Sequence, residues 1–484
     1  MSKLYIFGIG GTGSRVLKSL TMLMAAGVKV RDTSGQCYEI VPIVIDPDHA
    51  AADLTRTVKL MRDYKKVRNR IDFNTASANT FFANDINLNV FSEHSNITMN
   101  LGNTQDTDFK TYIGWAAMQE ANSALASMLF SDNNLNSMMD VGFKGNPNIG
   151  SVVLNQFAAS TEFRDFAASF AQNDRIFIIS SIFGGTGASG FPLLLKNLRA
   201  ISNNINGNGL IKKAPIGAVS VFPYFEVSVA DNSQINSSTF ISKTKAALSY
   251  YDKNMTEANI LYYIGDNVSK QYDNSEGGTT QQNDAHFIEL AAALAIVDFA
   301  QIPDDQLNTK VDSKTNTGVP ETVEYKEFGI IRETSEIIFS DMDIVTQTLI
   351  KKPMTQFFLF CKYMNEQIAS STRQTWAISN NFDSAFLCSA FYQSDLSGIK
   401  DAYLEWLAEM SKNHRAFTPY ELKTGNNLFR SVKGEKPKKT WFKDNYVLFD
   451  ATLNNTRTNG EPEHRFVELF YKATEKLVKR KFNM

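Results

Sequence analysis

Two glycine-rich strings in this 484-residue chain have the composition and placement to hold a phosphate. The first, Gly8-Ile9-Gly10-Gly11-Thr12-Gly13-Ser14, follows the apolar run Lys3 to Phe7 and precedes a helix-like stretch from Ser14 to Ala26. Glycine lets a backbone approach an anion closely, and a helix start offers free N–H groups at the positive end of its dipole. The second, Gly184-Gly185-Thr186-Gly187-Ala188-Ser189-Gly190, follows the apolar run Arg175 to Ser180 and precedes a helical stretch, Phe191 to Arg199. Four glycines in those seven residues cost more backbone entropy than a plain turn requires. One such string is a weak signal, because similar strings occur by chance and in many dinucleotide-binding proteins. Two, at the ends of two strands, can grip one nucleotide from both sides. Neither ends in the GK[ST] of a P-loop, so no lysine is placed at the terminal phosphates. The phosphate charge then falls to backbone N–H groups, the hydroxyls of Thr186 and Ser189, and a bound Mg²⁺.

The elements that must position these loops alternate strand, glycine loop, helix, strand. Tyr38 to Ile45 is a further buried-strand pattern ending at Asp46-Pro47-Asp48, and Ala214 to Val221 is another. This order predicts an α/β fold with a parallel sheet covered on both faces, its ligand at the carboxyl ends of the strands. Residues 60–140 read as polar and Asn-rich, with helical patches such as Tyr112 to Leu129. Ala285 to Phe299 is apolar nearly all round, which predicts a long central helix buried between two layers. Beyond Pro303 aromatic stretches such as TQFFLFCKYM predict a second α/β domain, and Phe466 to Lys481 a terminal helix rich in Lys and Arg. The predicted division is a nucleotide-binding domain over 1–270, the central helix and its following loop over 271–303, and a C-terminal α/β domain over 304–484.

Composition narrows the function classes. Hydrophobic residues make up 43% and charged residues 21%, as in an ordinary folded chain. With 49 basic and 51 acidic residues, the net charge of −2 gives no reason to expect nucleic acid or membrane as the main partner. The start MSKLYIFGIG is not a signal peptide, and no run of 18 apolar residues occurs, so a cytoplasmic location without a membrane span is expected. Cys37, Cys361 and Cys388 lack metal-ligand spacing and read as reduced thiols. The histidines at 49, 94, 286, 414 and 464 have no spacing for a metal site or a catalytic triad, so no protein-held metal is expected.

The string IISSIFGGTGASG resembles the tubulin/FtsZ signature loop GGGTG[ST]G, with Ala188 and Ser189 departing slightly from its ordering. The first glycine string resembles that family's first nucleotide loop. Gly142-Phe143-Lys144-Gly145-Asn146-Pro147-Asn148-Ile149-Gly150 resembles the γ-phosphate loop GxGxNPxxG, and Phe222-Pro223-Tyr224-Phe225-Glu226 the ribose-facing PFxFE. These four motifs, in family order over about residues 1 to 300, look closest to divergent bacterial tubulin-like proteins. The resemblance implies GTP or GDP as ligand, with Mg²⁺. Gly10, Gly11, Thr12 and Gly13 would contact phosphate from one side, and Gly184, Gly185, Thr186, Gly187 and Ala188 from the other. Gly145 and Asn146 would face the γ-phosphate and Glu226 the ribose. Asp46 would sit near the phosphates or the water shell of Mg²⁺, or else serve as a helix cap beside Pro47. Asn267 would read the base and Phe287 stack on it, unless Phe287 is core packing. Ala291 stands near the position of the family's base-reading carboxylate, which leaves GTP versus ATP open.

The family's hydrolysis is completed across a polymer contact, where an acid from the next subunit orients the attacking water. The resemblance therefore implies self-association into filaments and GTPase activity. Its candidate acids are Asp298, in VDFAQI, which resembles VDFADV with Gln301 replacing the second acid, or Asp304 and Asp305 after Pro303. The register between them stays open. A non-hydrolysing scaffold of the same fold is one competing reading. GIGGTGS with VIDPDH also resembles the start of ThiF-type ATP-dependent adenylating enzymes, which leaves GGTGASG, GNPNIG and FPYFE unexplained. A nicotinamide-dinucleotide enzyme with Asp46 on the ribose fails on the second glycine string in the same way.

Overall fold

A computed structural model describes residues 1–73, 79–94, 96–102, 104–139, 142–143, 145–227, 237–267, 271–272, 282–307, 323–328, 330, 334–423, 428–439 and 446–484. Ten strands are described: β1 (Lys3–Ile9), β2 (Glu39–Ile45), β3 (Arg175–Ser181), β4 (Ile216–Val221), β5 (Glu226–Val227), β6 (Ile260–Ile264), β7 (Gln271–Tyr272), β8 (Glu324–Glu327), β9 (Glu336–Ile337) and β10 (Ala416–Phe417). Six of them form one sheet in the order β2-β1-β3-β4-β6-β8, parallel at every pairing. The short pairs β5 with β7 and β9 with β10 lie outside it and are also parallel. Helices of eight or more residues are α1 (Gly10–Ala25), α2 (Ala52–Arg68), α3 (Glu120–Leu129), α4 (Pro147–Leu154), α5 (Thr161–Ser169), α6 (Thr186–Arg199), α7 (Ser237–Asn254), α8 (Phe287–Gln301), α9 (Ile344–Glu366), α10 (Ser397–Met410), α11 (Tyr446–Asn454) and α12 (Pro462–Phe482).

The strands are apolar on both faces because both are covered. Tyr5, Phe7, Ile43, Ile45, Ile176 and Ile178 join one core with Phe191 and Leu195 of α6. Their alternate neighbours Leu4, Ile6, Val44, Phe177 and Ile179 join the other, with α1, α2, α8 and the C-terminal helices. Each such side chain, fully buried, contributes roughly 1.5–3 kcal/mol, so a sheet of this kind reads as continuous hydrophobic runs. The α/β class and the parallel sheet are as the alternating pattern predicts.

The central helix, α8, starts at a capping box formed by His286 and Glu289, and nearly every residue along it is buried. It lies between the sheet and the C-terminal helices, which is why its apolar residues run all round. Residues 304–484 contribute β8 to the sheet edge, the β9–β10 pair and four of the long helices. Those helices share the core of the first half: the ring of Phe81 lies 5.1 Å from Phe357 of α9, and Trp406 Nε1 donates to Ser19 Oγ of α1 at 3.2 Å.

Two differences from the sequence pattern have physical reasons. Part of the stretch read as polar is the long helix α2, whose Leu54, Met61, Tyr64 and Val67 form a narrow buried stripe under a charged surface. In addition, α1 and α6 begin inside the glycine strings, several residues earlier than read. Glycine disfavours a helix on its own, but here it allows close packing on the strand. A Cβ on Gly13 would lie 2.4 Å from the Gly8 carbonyl carbon, and one on Gly187 2.5 Å from Ser181 Oγ. Among the described residues no helix is long and apolar enough to cross a membrane.

Candidate functional site

Three glycine loops meet at the carboxyl ends of β1 and β3. Gly10 has a φ of +71°, and a Cβ placed on it would lie 3.5 Å from Thr186 Cβ and 3.8 Å from the Gly187 nitrogen. A Cβ on Gly185 would lie 3.3 Å from the Asn146 nitrogen, and one on Gly150 3.0 Å from the Gly185 carbonyl oxygen. The strings at 8–14, 142–150 and 184–190, far apart in sequence, are therefore in contact. Gly184, at φ +84°, faces open space, with nothing within 4 Å of where its Cβ would be.

Three helices begin at this junction. The N-cap residues of α1, α4 and α6 are Ile9, Asn146 and Gly185; none makes a side-chain capping bond, and no acid occupies any of the three first turns. Ser160 caps α5, His286 α8 and Asp343 α9, whereas α2, α3 and α12 are uncapped but carry Asp53, Glu120 and Glu463 in their first turns. Uncapped N–H groups without a nearby carboxylate suit an anion. Ser189 departs from expectation: its hydroxyl donates to the Gly185 carbonyl at 2.7 Å inside α6, a bond to the preceding turn that takes its proton away from any ligand.

Behind the first loop lies a buried charge network that periodicity did not reveal. On α1, Arg15 donates from Nη1 to Asp53 Oδ2 at 2.9 Å, from Nε to Glu289 Oε1 at 2.6 Å and from Nη2 to the Tyr224 hydroxyl at 2.8 Å. Tyr224, from the FPYFE string, donates its hydroxyl hydrogen bond to Glu289 Oε1 at 2.8 Å. Burial works against the charge on Arg15, but Tyr224, Glu289 and Asp53 together carry its pKa well above the ordinary value. A Cβ on Gly11 would lie 3.3 Å from Arg15 Nη1, so the network sits directly under the loop. It ties α1 to α2 and to the start of α8.

The remaining predicted residues separate. Asn267 is exposed after β6, its N–H bonded to Asp266 Oδ1 at 2.7 Å. Phe287 is 2% exposed, its ring 5.6 Å from Phe417 and 6.0 Å from Phe328, which is the arrangement of a core residue. Glu226 opens β5, and its side chain lies outside the described residues. Asp298 projects from α8 and accepts from the Tyr262 hydroxyl at 2.5 Å and from Lys326 at 3.0 Å. Asp304 accepts from Arg175 Nη2 at 2.6 Å, and Asp305 beside it is exposed. Arg175 is the first residue of β3, whose other end leads into Gly184. The length of that strand puts about 20 Å between the paired acids and the glycine loops. One chain does not bring them together.

No protein-family model matches the chain, and no curated protein matches it. Solved structures that resemble it include CetZ1 from Haloferax volcanii, a GDP-bound monomer, at 12% identity over 54% of this chain and 51% of that one, with a TM-score of 0.28. CetZ2 from the same organism, a GTPγS-bound protofilament, matches at 14% identity over 62% of this chain and 60% of its own, with a TM-score of 0.31. TubZ of Bacillus thuringiensis serovar israelensis, a GTPγS-form protofilament, matches at 13% over 55% and 47%, with a TM-score of 0.24. In each case less than two thirds of the other chain is covered. Likenesses this distant assign no activity.

Asp46 ends β2 beside the first loop, since Ile45 pairs with Ile9 in the β1–β2 register. It is 6% exposed and accepts the Asp48 N–H at 3.1 Å, so it caps the turn at Pro47 and not a helix. Burial pushes its carboxyl up to about 7, the Asp48 N–H opposing and the Asp48 charge adding to the effect. A folded pKa above the unfolded value means the native state holds the proton longer. Its stabilising contribution is complete below about pH 4 and is lost as the pH rises through about 7, at most about 4 kcal/mol. Asp46→Asn, which does not titrate, is expected to melt higher than the wild type at pH 8 and to lose that advantage by pH 4. Parallel melting-temperature profiles between pH 4 and 8 would refute this.

Proposed function

We propose that this chain binds a guanine nucleotide at the three converging glycine loops and assembles head to tail, with GTP hydrolysis completed across the contact between copies. One observation carries the reading: three uncapped, acid-free helix starts meet at one end of β3 beside the open Gly184, while the exposed acids Asp304 and Asp305 stand at the other. Gly10, Gly11, Thr12 and Gly13 hold phosphate from one side and Gly184, Gly185, Thr186, Gly187 and Ala188 from the other. Gly145 and Asn146 face the γ-phosphate, Glu226 the ribose and Asn267 the base, by resemblance to tubulin/FtsZ loops; Phe287 is left to the core. Mg²⁺, when bound with the nucleotide, neutralises part of the phosphate charge, and Asp46 is the carboxylate we assign to its water shell. Residues 1–270 would supply the nucleotide site, 271–303 the central helix that leads to the acids, and 304–484 Asp304, Asp305 and the support behind the site.

With about 20 Å between its acids and its glycine loops, a chain cannot orient water for its own γ-phosphate, so the second copy is part of the site. The test follows light scattering and phosphate release with GTP, ATP or no nucleotide, plus Mg²⁺, over a range of protein concentrations. The expected result is a scattering rise with GTP alone and turnover per molecule that climbs with concentration. Scattering without phosphate release would replace this with a non-hydrolysing scaffold. ATP consumption yielding pyrophosphate without assembly would replace it with an adenylating enzyme.

A further inference from the structure

The first two glycine strings lack a P-loop lysine and the third carries Lys144, outside the described residues, yet the fold brings a further lysine to them from elsewhere. Lys243 lies in α7, outside all three strings, and its ammonium donates a hydrogen bond to the carbonyl oxygen of Gly145, in the GNPNIG loop. We infer that Lys243 is a cation of the nucleotide site and that it distinguishes a triphosphate from a diphosphate. This inference rests on the proposed nucleotide reading and deepens it.

Three features argue for an anion beside this ammonium. First, Lys243 is half-buried, and among the described residues it makes no ion pair: its recorded partner is a neutral carbonyl. Burial alone lowers its pKa, with no carboxylate contributing, whereas Lys18 on α1 is buried against Glu409 at 3.1 Å. Second, an ammonium has three protons to donate, and Gly145 takes one. A desolvated cation with donors to spare favours a charged acceptor. Third, the loop it holds is the one that would face the last phosphate. Gly145 adopts φ +72°, the following Asn146 starts α4, and the Asn146 nitrogen is the atom that a Cβ on Gly185 would approach at 3.3 Å. The lysine therefore anchors the point where the third loop meets the second. Unlike a lysine built into a glycine string, Lys243 comes from a separate helix, so its position depends on how α7 packs.

A purely structural role, pinning the loop to α7, makes a different prediction and can be separated. The affinities of wild type, Lys243→Gln, Lys243→Ala and Lys243→Arg are measured by titration calorimetry with GTPγS and with GDP, alongside melting temperatures without nucleotide. Lys243→Ala and Lys243→Gln are expected to weaken GTPγS binding by about ten- to a hundredfold while changing GDP binding less than about threefold, the effect of one charge-assisted hydrogen bond. Lys243→Arg is expected to recover most of the GTPγS affinity. Equal losses for both nucleotides, or a lower melting temperature with no selective loss, would make Lys243 a structural pin and overturn the inference. Unchanged affinities would also overturn it. If the wild type bound neither nucleotide, the guanine-nucleotide reading itself would fall, before any variant was compared.

Discussion

Asp304→Asn combined with Asp305→Asn is expected to lower GTP turnover by about 10²- to 10⁴-fold, the range for loss of a positioned acid or base, while nucleotide affinity stays within about threefold of wild type. Affinity is spared because the acids and the glycine loops occupy opposite ends of β3. The fold is spared as well. Asp304 is 68% exposed, so its ion pair with Arg175 contributes only about 0–1 kcal/mol. Arg175 keeps its bonds to the Phe299 and Ile302 carbonyls, at 2.9 and 2.8 Å, which close the end of α8. Asp298→Asn is expected to change turnover little, since that carboxylate is already engaged by Tyr262 and Lys326. Mixing gives a sharper check. The double variant retains its glycine loops, and Gly184→Asp, with a carboxylate placed in the anion site, retains its acids. If the catalytic contact is shared, the mixture turns over GTP faster than the two variants measured apart. A mixture that merely sums them, or a double variant with full turnover, would remove these acids from the reaction.

Arg15→Ala carries the largest expected cost in stability, about 3–5 kcal/mol, the range for stranding a buried charge. Asp53 and Glu289 are 3% and 1% exposed, and both point at the guanidinium. Asp53 would keep Arg56, at 2.9 Å, so the main loss falls on Glu289, left with the Tyr224 hydroxyl and the His286 N–H. Adding Glu289→Gln to Arg15→Ala removes the stranded charge, so the double variant is expected to recover much of the difference. Denaturant midpoints for the two single variants and the pair would show it. Simple additivity would mean that the network contributes no coupling. Because Arg15 lies under Gly11, the single variant is also expected to bind nucleotide more weakly.

Strands, glycine loops and the all-round apolar helix were legible in the sequence because each is a local pattern. Continuous apolar runs such as RIFIISS mark strands covered on both faces, and FIELAAALAIVDFAQ marks a helix between two layers. Glycines at 13 and 187 mark close backbone approach, and those at 10 and 184 mark a positive φ. Helix α2 was missed because its apolar stripe is thin, and a charged face dominates its composition. The charged partners were not legible at all. Arg15 meets Glu289 across 274 residues, Lys243 meets Gly145 across 98, and Arg175 meets Asp304 across 129. Nor could the strings say that the acids of the 302–307 loop face away from the phosphate loops. By itself, then, the sequence determined the parallel α/β sheet, the glycine loops at its carboxyl edge and the buried central helix, because strand and helix periods record which faces are covered. Tertiary structure alone decided that Lys243 reaches the third loop and which acids lie at the far end. Those pairings depend on how helices distant in sequence pack on the two faces of the sheet, and no local period records that.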